Sequence, residues 1–214
     1  MHTVKHNGFF ITLEGVEGAG KTTQLNLLAE ALGENVIVTR EPGGTQISEQ
    51  IREIFLTAAE ISAQTELMLI AASRAQHVSE LILPALKDGK TVICDRFSDA
   101  TIAYQGYRKG IDLERIEQVN SIATQGLKPD VTFLLDLPPD VGLNRKRESD
   151  EPLTRLELET ITSHEKVRKG YLALAKSESE RVIIINAQRD IDEVSKVLVS
   201  ESKRRMQMKP QHRY

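Results

Sequence analysis

Five short apolar runs recur along the chain: residues 9–14, Val36-Ile37-Val38, Thr91-Val92-Ile93-Cys94, Val131-Thr132-Phe133-Leu134-Leu135 and Arg181-Val182-Ile183-Ile184-Ile185. Runs of this length, rich in β-branched and aromatic residues, predict buried strands. Between them the apolar positions fall three and four apart, which predicts helices. Leu25, Leu28, Ala29 and Leu32 mark one over Thr23–Leu32. Leu67, Ile70, Ala71, Val78, Leu81, Ile82 and Leu86 mark a long one from about Ser62 to Lys87, with a bend expected near Pro84. Further helices are expected over 112–126, between an Asp112 cap and a Gly126 terminator, and over 156–178 and 190–206. Strands separated by helices rather than hairpin turns imply right-handed crossovers. The expectation is an α/β fold, a five-stranded parallel sheet flanked by helices on both faces. With no repeat or linker, residues 1–214 read as one domain. Residues 1–8 form a loose lead-in and a disordered tail begins at about 207.

Composition narrows this picture. Hydrophobic residues make up 40% of the chain and charged residues 28%, with no long apolar run or N-terminal signal pattern, so a soluble, cytoplasmic protein without a membrane span is expected. The single Cys94 lies within an apolar run and reads as a core thiol. A net charge of −3 argues against a general nucleic-acid binder.

The chemistry starts after the first strand. Gly15-Val16-Glu17-Gly18-Ala19-Gly20-Lys21-Thr22 fits G-x-x-x-x-G-K-[ST] and lies between a predicted strand and a predicted helix. In such a loop, backbone N–H groups curl around a polyphosphate, the lysine reaches its β and γ phosphates, and the hydroxyl ligates Mg²⁺. Thr23 continues the phosphate-binding side. Ligands of an open parallel sheet gather beyond the carboxyl ends of the strands. There the chain places Thr39-Arg40-Glu41-Pro42-Gly43-Gly44-Thr45 after the second strand and Asp95-Arg96-Phe97 after the third. Arg40 and Arg96 suit bidentate contacts to a second phosphate group. Asp95 stands where such proteins keep the acid that meets Mg²⁺.

Taken together, Gly15–Thr23, Arg40–Thr45, Arg74-Ala75-Gln76-His77, Asp95-Arg96-Phe97, Ala103-Tyr104-Gln105-Gly106, Lys128-Pro129-Asp130 and Val167-Arg168-x-x-Tyr171 resemble thymidylate kinases nearly end to end. The resemblance implies the three-layer fold of P-loop nucleoside monophosphate kinases, a homodimer, and ATP-dependent conversion of dTMP to dTDP for dTTP synthesis. It implies that Glu17 accepts from the sugar 3′-hydroxyl, that Arg40 and Arg96 hold the acceptor phosphate beside Pro42, that Arg74 and Gln105 reach the thymine edge, and that Tyr104 lies under the deoxyribose. Gly18 stands where one branch of the family carries a catalytic arginine, so a lid at about 144–156 should supply it, with Arg147 in the transition-state role and Arg145 on the adenine side. The catalytic set is then Lys21, Asp95, Arg96 and Arg147, with the metal on Thr22 and Asp95. The acceptor pocket departs from the family at Ile70, where a stacking phenylalanine is common, and at Ser73 and Ala100; the lid region departs at Thr154 and Ser163. Those departures leave two alternatives open, a kinase for another nucleoside monophosphate and a nucleotide-binding regulator without turnover.

Overall fold

The computed structural model describes residues 6–58, 60–148, 154 and 157–209. The five predicted strands form: β1 Phe9–Glu14, β2 Val36–Arg40, β3 Thr91–Asp95, β4 Val131–Asp136 and β5 Val182–Asn186. They lie in the order β2-β3-β1-β4-β5, with every pairing parallel. This order puts β1 at the centre, and all six of its residues are buried. Its alternation divides the core. Phe9, Ile11 and Leu13 face one layer, and Phe10 packs with Val92 and Cys94 in the other, so Cys94 is a core thiol as expected.

The helices among the described residues are α1 Lys21–Leu32, α2 Gln46–Thr57, α3 Ala63–His77, α4 Leu83–Lys87, α5 Ser98–Thr101, α6 Leu113–Thr124, α7 Pro139–Arg147, α8 Ile161–Ser177 and α9 Ile191–Met208. Asp112 caps α6 as predicted, accepting from the Arg115 N–H at 3.1 Å. The long segment expected over 62–87 is α3 and α4 joined by a π-helical turn at Val78–Ile82. Pro84 has no N–H to return to the preceding turn, and the wider turn just before it shifts the ladder register there. A second π turn, Ile102–Arg108, follows α5. Two predicted boundaries move. Helix α8 starts at Ile161 behind a Thr160 cap rather than at 156. Helix α9 runs through Met208, and Lys209 Nζ donates to Gly8 O and Asp130 Oδ2, both at 2.8 Å, so residues 207–209 are ordered where a tail was expected; residues 210–214 lie outside the described residues. No helix among the described residues is long and apolar enough to cross a membrane.

Candidate active site

The loop after β1 wraps the N-terminus of α1, whose cap Gly20 (φ 87°) offers no side chain to the first N–H groups of the helix. Those donors and the helix dipole suit an anion. Lys21 turns back over the loop, its Nζ donating to Gly15 O at 3.2 Å and Val16 O at 3.1 Å. Burial, then the nearby Arg96 charge, pulls this ammonium below its usual pKa. The tip of the loop rests on α7 backbone to backbone: a Cβ at Gly18 would overlap the Gly142 carbonyl, and a Cβ at Gly142 would overlap that of Glu17. An arginine at position 18 has no room here.

A cavity of about 480 Å³ runs from this loop toward the acceptor motifs. Of the predicted residues, Glu17, Gly18, Gly20, Lys21, Thr22, Thr23, Asp95 and Arg96 line its phosphate end, and Pro42, Ile70, Arg74, Tyr104 and Gln105 its far end. Arg96 sits at φ 68°, an unusual conformation for a side chain of its size. Its guanidinium donates to Gly15 O at 3.1 Å, Tyr171 Oη at 3.0 Å and Glu17 Oε1 at 3.2 Å, and stands 4.9 Å from the Tyr104 ring centre. The Tyr104 hydroxyl also donates to Glu17 Oε1, at 2.6 Å. Glu17 Oε2 lies 3.3 Å from His164 Nδ1, and this buried oxygen accepts no hydrogen bond from the described residues. Burial alone would raise the Glu17 pKa, but the His164 ring, then Arg96 and Lys21, outweigh it and hold the carboxylate ionised. Asp95 Oδ2 accepts from the Thr22 hydroxyl at 3.5 Å, and its buried Oδ1 has no protein partner.

Several predicted residues sit differently from expectation. Arg74 is buried, and its donors are largely committed: Glu41 at 2.7 Å, Thr101 at 2.9 Å, Asn120 at 2.7 Å and the Phe97 carbonyl at 2.9 Å. It builds the pocket floor and has one guanidinium N–H left for a base. Arg40 does not line the cavity; 53% exposed, it pairs with Glu49 at 2.9 Å. Arg52, one helical face along on α2, lines the cavity instead and donates to Pro42 O at 2.9 Å. Arg147 is exposed at the end of α7, with Nη1 3.4 Å from Asn144 Oδ1, whereas its neighbour Lys146 lines the cavity and pairs with Glu157 at 3.3 Å. Arg145 lies on a second, adjoining cavity of about 330 Å³, shared with Ala19 and Ala187, and donates to Gly18 O at 3.3 Å and Ala187 O at 3.4 Å. The rest of the predicted lid, 149–153 and 155–156, lies outside the described residues.

Arg52 lies on α2, which no apolar spacing predicts, and Lys146 belongs to the expected lid segment but takes the place expected of Arg147 on the cavity wall. Glu14 was also missed. Fully buried at the end of β1, it accepts from the Phe97 N–H and the Tyr171 hydroxyl, both at 2.7 Å, so it braces the residues on either side of the Arg96 guanidinium. Burial, then the neighbouring Asp99, pushes its pKa up to about 8.

A family model described as thymidylate kinase matches residues 13–198. The thymidylate kinase of Pelobacter propionicus is 50% identical over 204 residues, covering 91% of this chain and 93% of its own. That of Geotalea uraniireducens is 51% identical, over 90% and 95% of the two chains. The crystal structure of thymidylate kinase from Ehrlichia chaffeensis superposes with a TM-score of 0.76 at 36% identity, covering 91% of this chain and 98% of that one.

Proposed function

We propose roles for the residues of this site from one premise: the chain belongs to the thymidylate kinase family. It transfers the γ-phosphoryl group of ATP to dTMP, giving dTDP, and neither a kinase for another monophosphate nor a silent regulator is favoured. The observation that carries the assignment of roles is the continuity of the cavity, with a phosphate loop at one end and a base-sized apolar pocket over Arg74 and Gln105 at the other.

The donor phosphates take the loop N–H groups and Lys21. Arg96 and Arg52 hold the acceptor phosphate, and Arg40 closes the rim behind Arg52. Two orphaned carboxylate oxygens mark the remaining contacts, because a buried acceptor without a donor is costly. Glu17 Oε2 takes the sugar 3′-hydroxyl. Asp95 Oδ1, beside the Thr22 hydroxyl, fits a divalent cation such as Mg²⁺, which when bound neutralises charge on the donor phosphates. Tyr104, pinned by Glu17 and two guanidinium groups, forms a fixed floor under the sugar that a 2′-hydroxyl would strike. Lys146 on α7 lines the cavity and takes the transition-state role before Arg147, which does not; Arg145 borders the adenine side. Phosphoryl transfer then requires alignment and charge neutralisation rather than a general base.

Ile47 and Ile54 on α2, Met68 on α3 and Ile122 on α6 are exposed apolar side chains, and a homodimer would cover them; the protein acts in the cytoplasm. Purified protein with ATP and Mg²⁺ should form dTDP from dTMP much faster than it phosphorylates UMP, dCMP, AMP or GMP. Equal rates on any of these would overturn the substrate assignment. By light scattering the same sample should weigh twice the 23.9 kDa chain, and a monomer would refute the dimer.

A further inference from the structure

Glu66, in the first turn of α3, has no exposed surface. A carboxylate taken wholly out of water must be matched by donors. Its Oε1 accepts two short bonds from the π turn Ile102–Arg108, from Gln105 Nε2 at 2.7 Å and from Arg108 Nη2 at 2.7 Å. A carboxylate has only acceptors to offer. The Gln105 amide must therefore turn its NH₂ toward Glu66 and its carbonyl the other way. Gln105 lines the acceptor end of the cavity, and no described residue donates to its Oε1. Amide orientation is often ambiguous, but here one buried anion decides it. The same anion anchors Arg108, whose guanidinium stands 5.2 Å from the Tyr104 ring centre.

An outward carbonyl distinguishes pyrimidines. Thymine presents a ring N3–H between two carbonyls, a donor that matches Gln105 Oε1. Cytosine presents a bare N3 lone pair beside an amino group, which opposes it. We propose that Glu66 is a positioning residue for base selection: by fixing the Gln105 amide with its carbonyl toward the cavity, it makes the site prefer a base bearing a ring N–H. The inference rests on the reading of this cavity as the dTMP site.

Glu66→Gln keeps the size of the side chain but offers either a donor or an acceptor, so Gln105 becomes free to turn over. The dTMP to dCMP ratio of kcat/KM should fall about 10- to 100-fold, with the KM for ATP unchanged, since unmatched buried polar groups are what reject the wrong base. A double-mutant cycle shows whether the effect passes through Gln105. With Gln105→Leu already in place, Glu66→Gln should change the ratio less than about twofold. An unchanged ratio in the single variant, or an equal fall in both backgrounds, would overturn the proposal. Should Glu66→Gln fail to fold, as judged by its melting curve, Glu66→Asp serves in the same cycle, its shorter carboxylate unable to hold both donors. Wild-type protein with no preference for dTMP would instead refute the substrate assignment.

Discussion

Replacing Arg96 with alanine is expected to lower kcat/KM for dTMP about a thousandfold, roughly 4 kcal/mol of transition-state stabilisation. The guanidinium is the hub of the cavity, joined to the loop through Gly15, to Glu17 and to Tyr171 at once. Its removal takes a positive charge from the phosphate path and deprives Glu17 of its guanidinium donor. Arg96→Lys should recover no more than about tenfold, because an ammonium cannot hold that fork of contacts. Stability and activity should separate in this series. At φ 68° an alanine carries left-handed strain that a glycine does not, so Arg96→Gly should be as inactive as Arg96→Ala yet more stable by about 1 kcal/mol. Steady-state kinetics and thermal melting on the three variants provide the check. Activity within tenfold of wild type in Arg96→Gly would remove Arg96 from the phosphate path.

Gly18→Ala should be almost as damaging, through a different route. Position 18 has φ 71°, and the added methyl would meet the Gly142 carbonyl of α7, a backbone atom that cannot swing aside. The loop must back away from α7, and the phosphate cradle goes with it; ATP affinity measured by calorimetry should drop about 100-fold, roughly 2.7 kcal/mol. Gly33→Ala is the control. Position 33 also has positive φ, 89°, but has nothing within 4 Å of the new methyl, so it should cost about 1–3 kcal/mol of stability while leaving ATP affinity alone. If Gly18→Ala binds ATP like Gly33→Ala, the loop does not depend on its seat against α7.

The sheet was legible because its strands read as unbroken apolar runs, the three central ones, β1, β3 and β4, being buried on both faces. The cradle was legible because its glycines and lysine are dictated by backbone geometry at fixed spacing. Helix α2 was not legible: Ile47 and Ile54 lie half exposed, and its Thr45 cap is also the last residue of the Arg40–Thr45 tract. Helix α7 packs through a glycine, which leaves no apolar stripe to detect. The turn carrying Tyr104, Gln105 and Arg108 is π-helical, so a 3.6-residue period could not reveal which side chains share a face. Arg52 and Lys146 lie on α2 and α7, so the sequence points to Arg40 and Arg147 in their place. Contacts such as Glu66 to Gln105 join residues 39 apart and exist only after folding.

Glu14 makes folding a proton-uptake reaction. The formal charge of −3 counts 28 basic against 31 acidic side chains, Glu14 among them. With its pKa at about 8 against 4.5 in an open chain, it is mostly neutral in the folded protein at pH 7, so the count becomes 28 against 30, or −2. Between those two values the folded chain holds a proton that the unfolded chain releases. The stability contributed by Glu14 is therefore complete below about pH 4.5 and is lost as the pH rises through about 8. Calorimetric unfolding in buffers of different ionisation enthalpy should register that proton, and Glu14→Gln, neutral at every pH, should erase it.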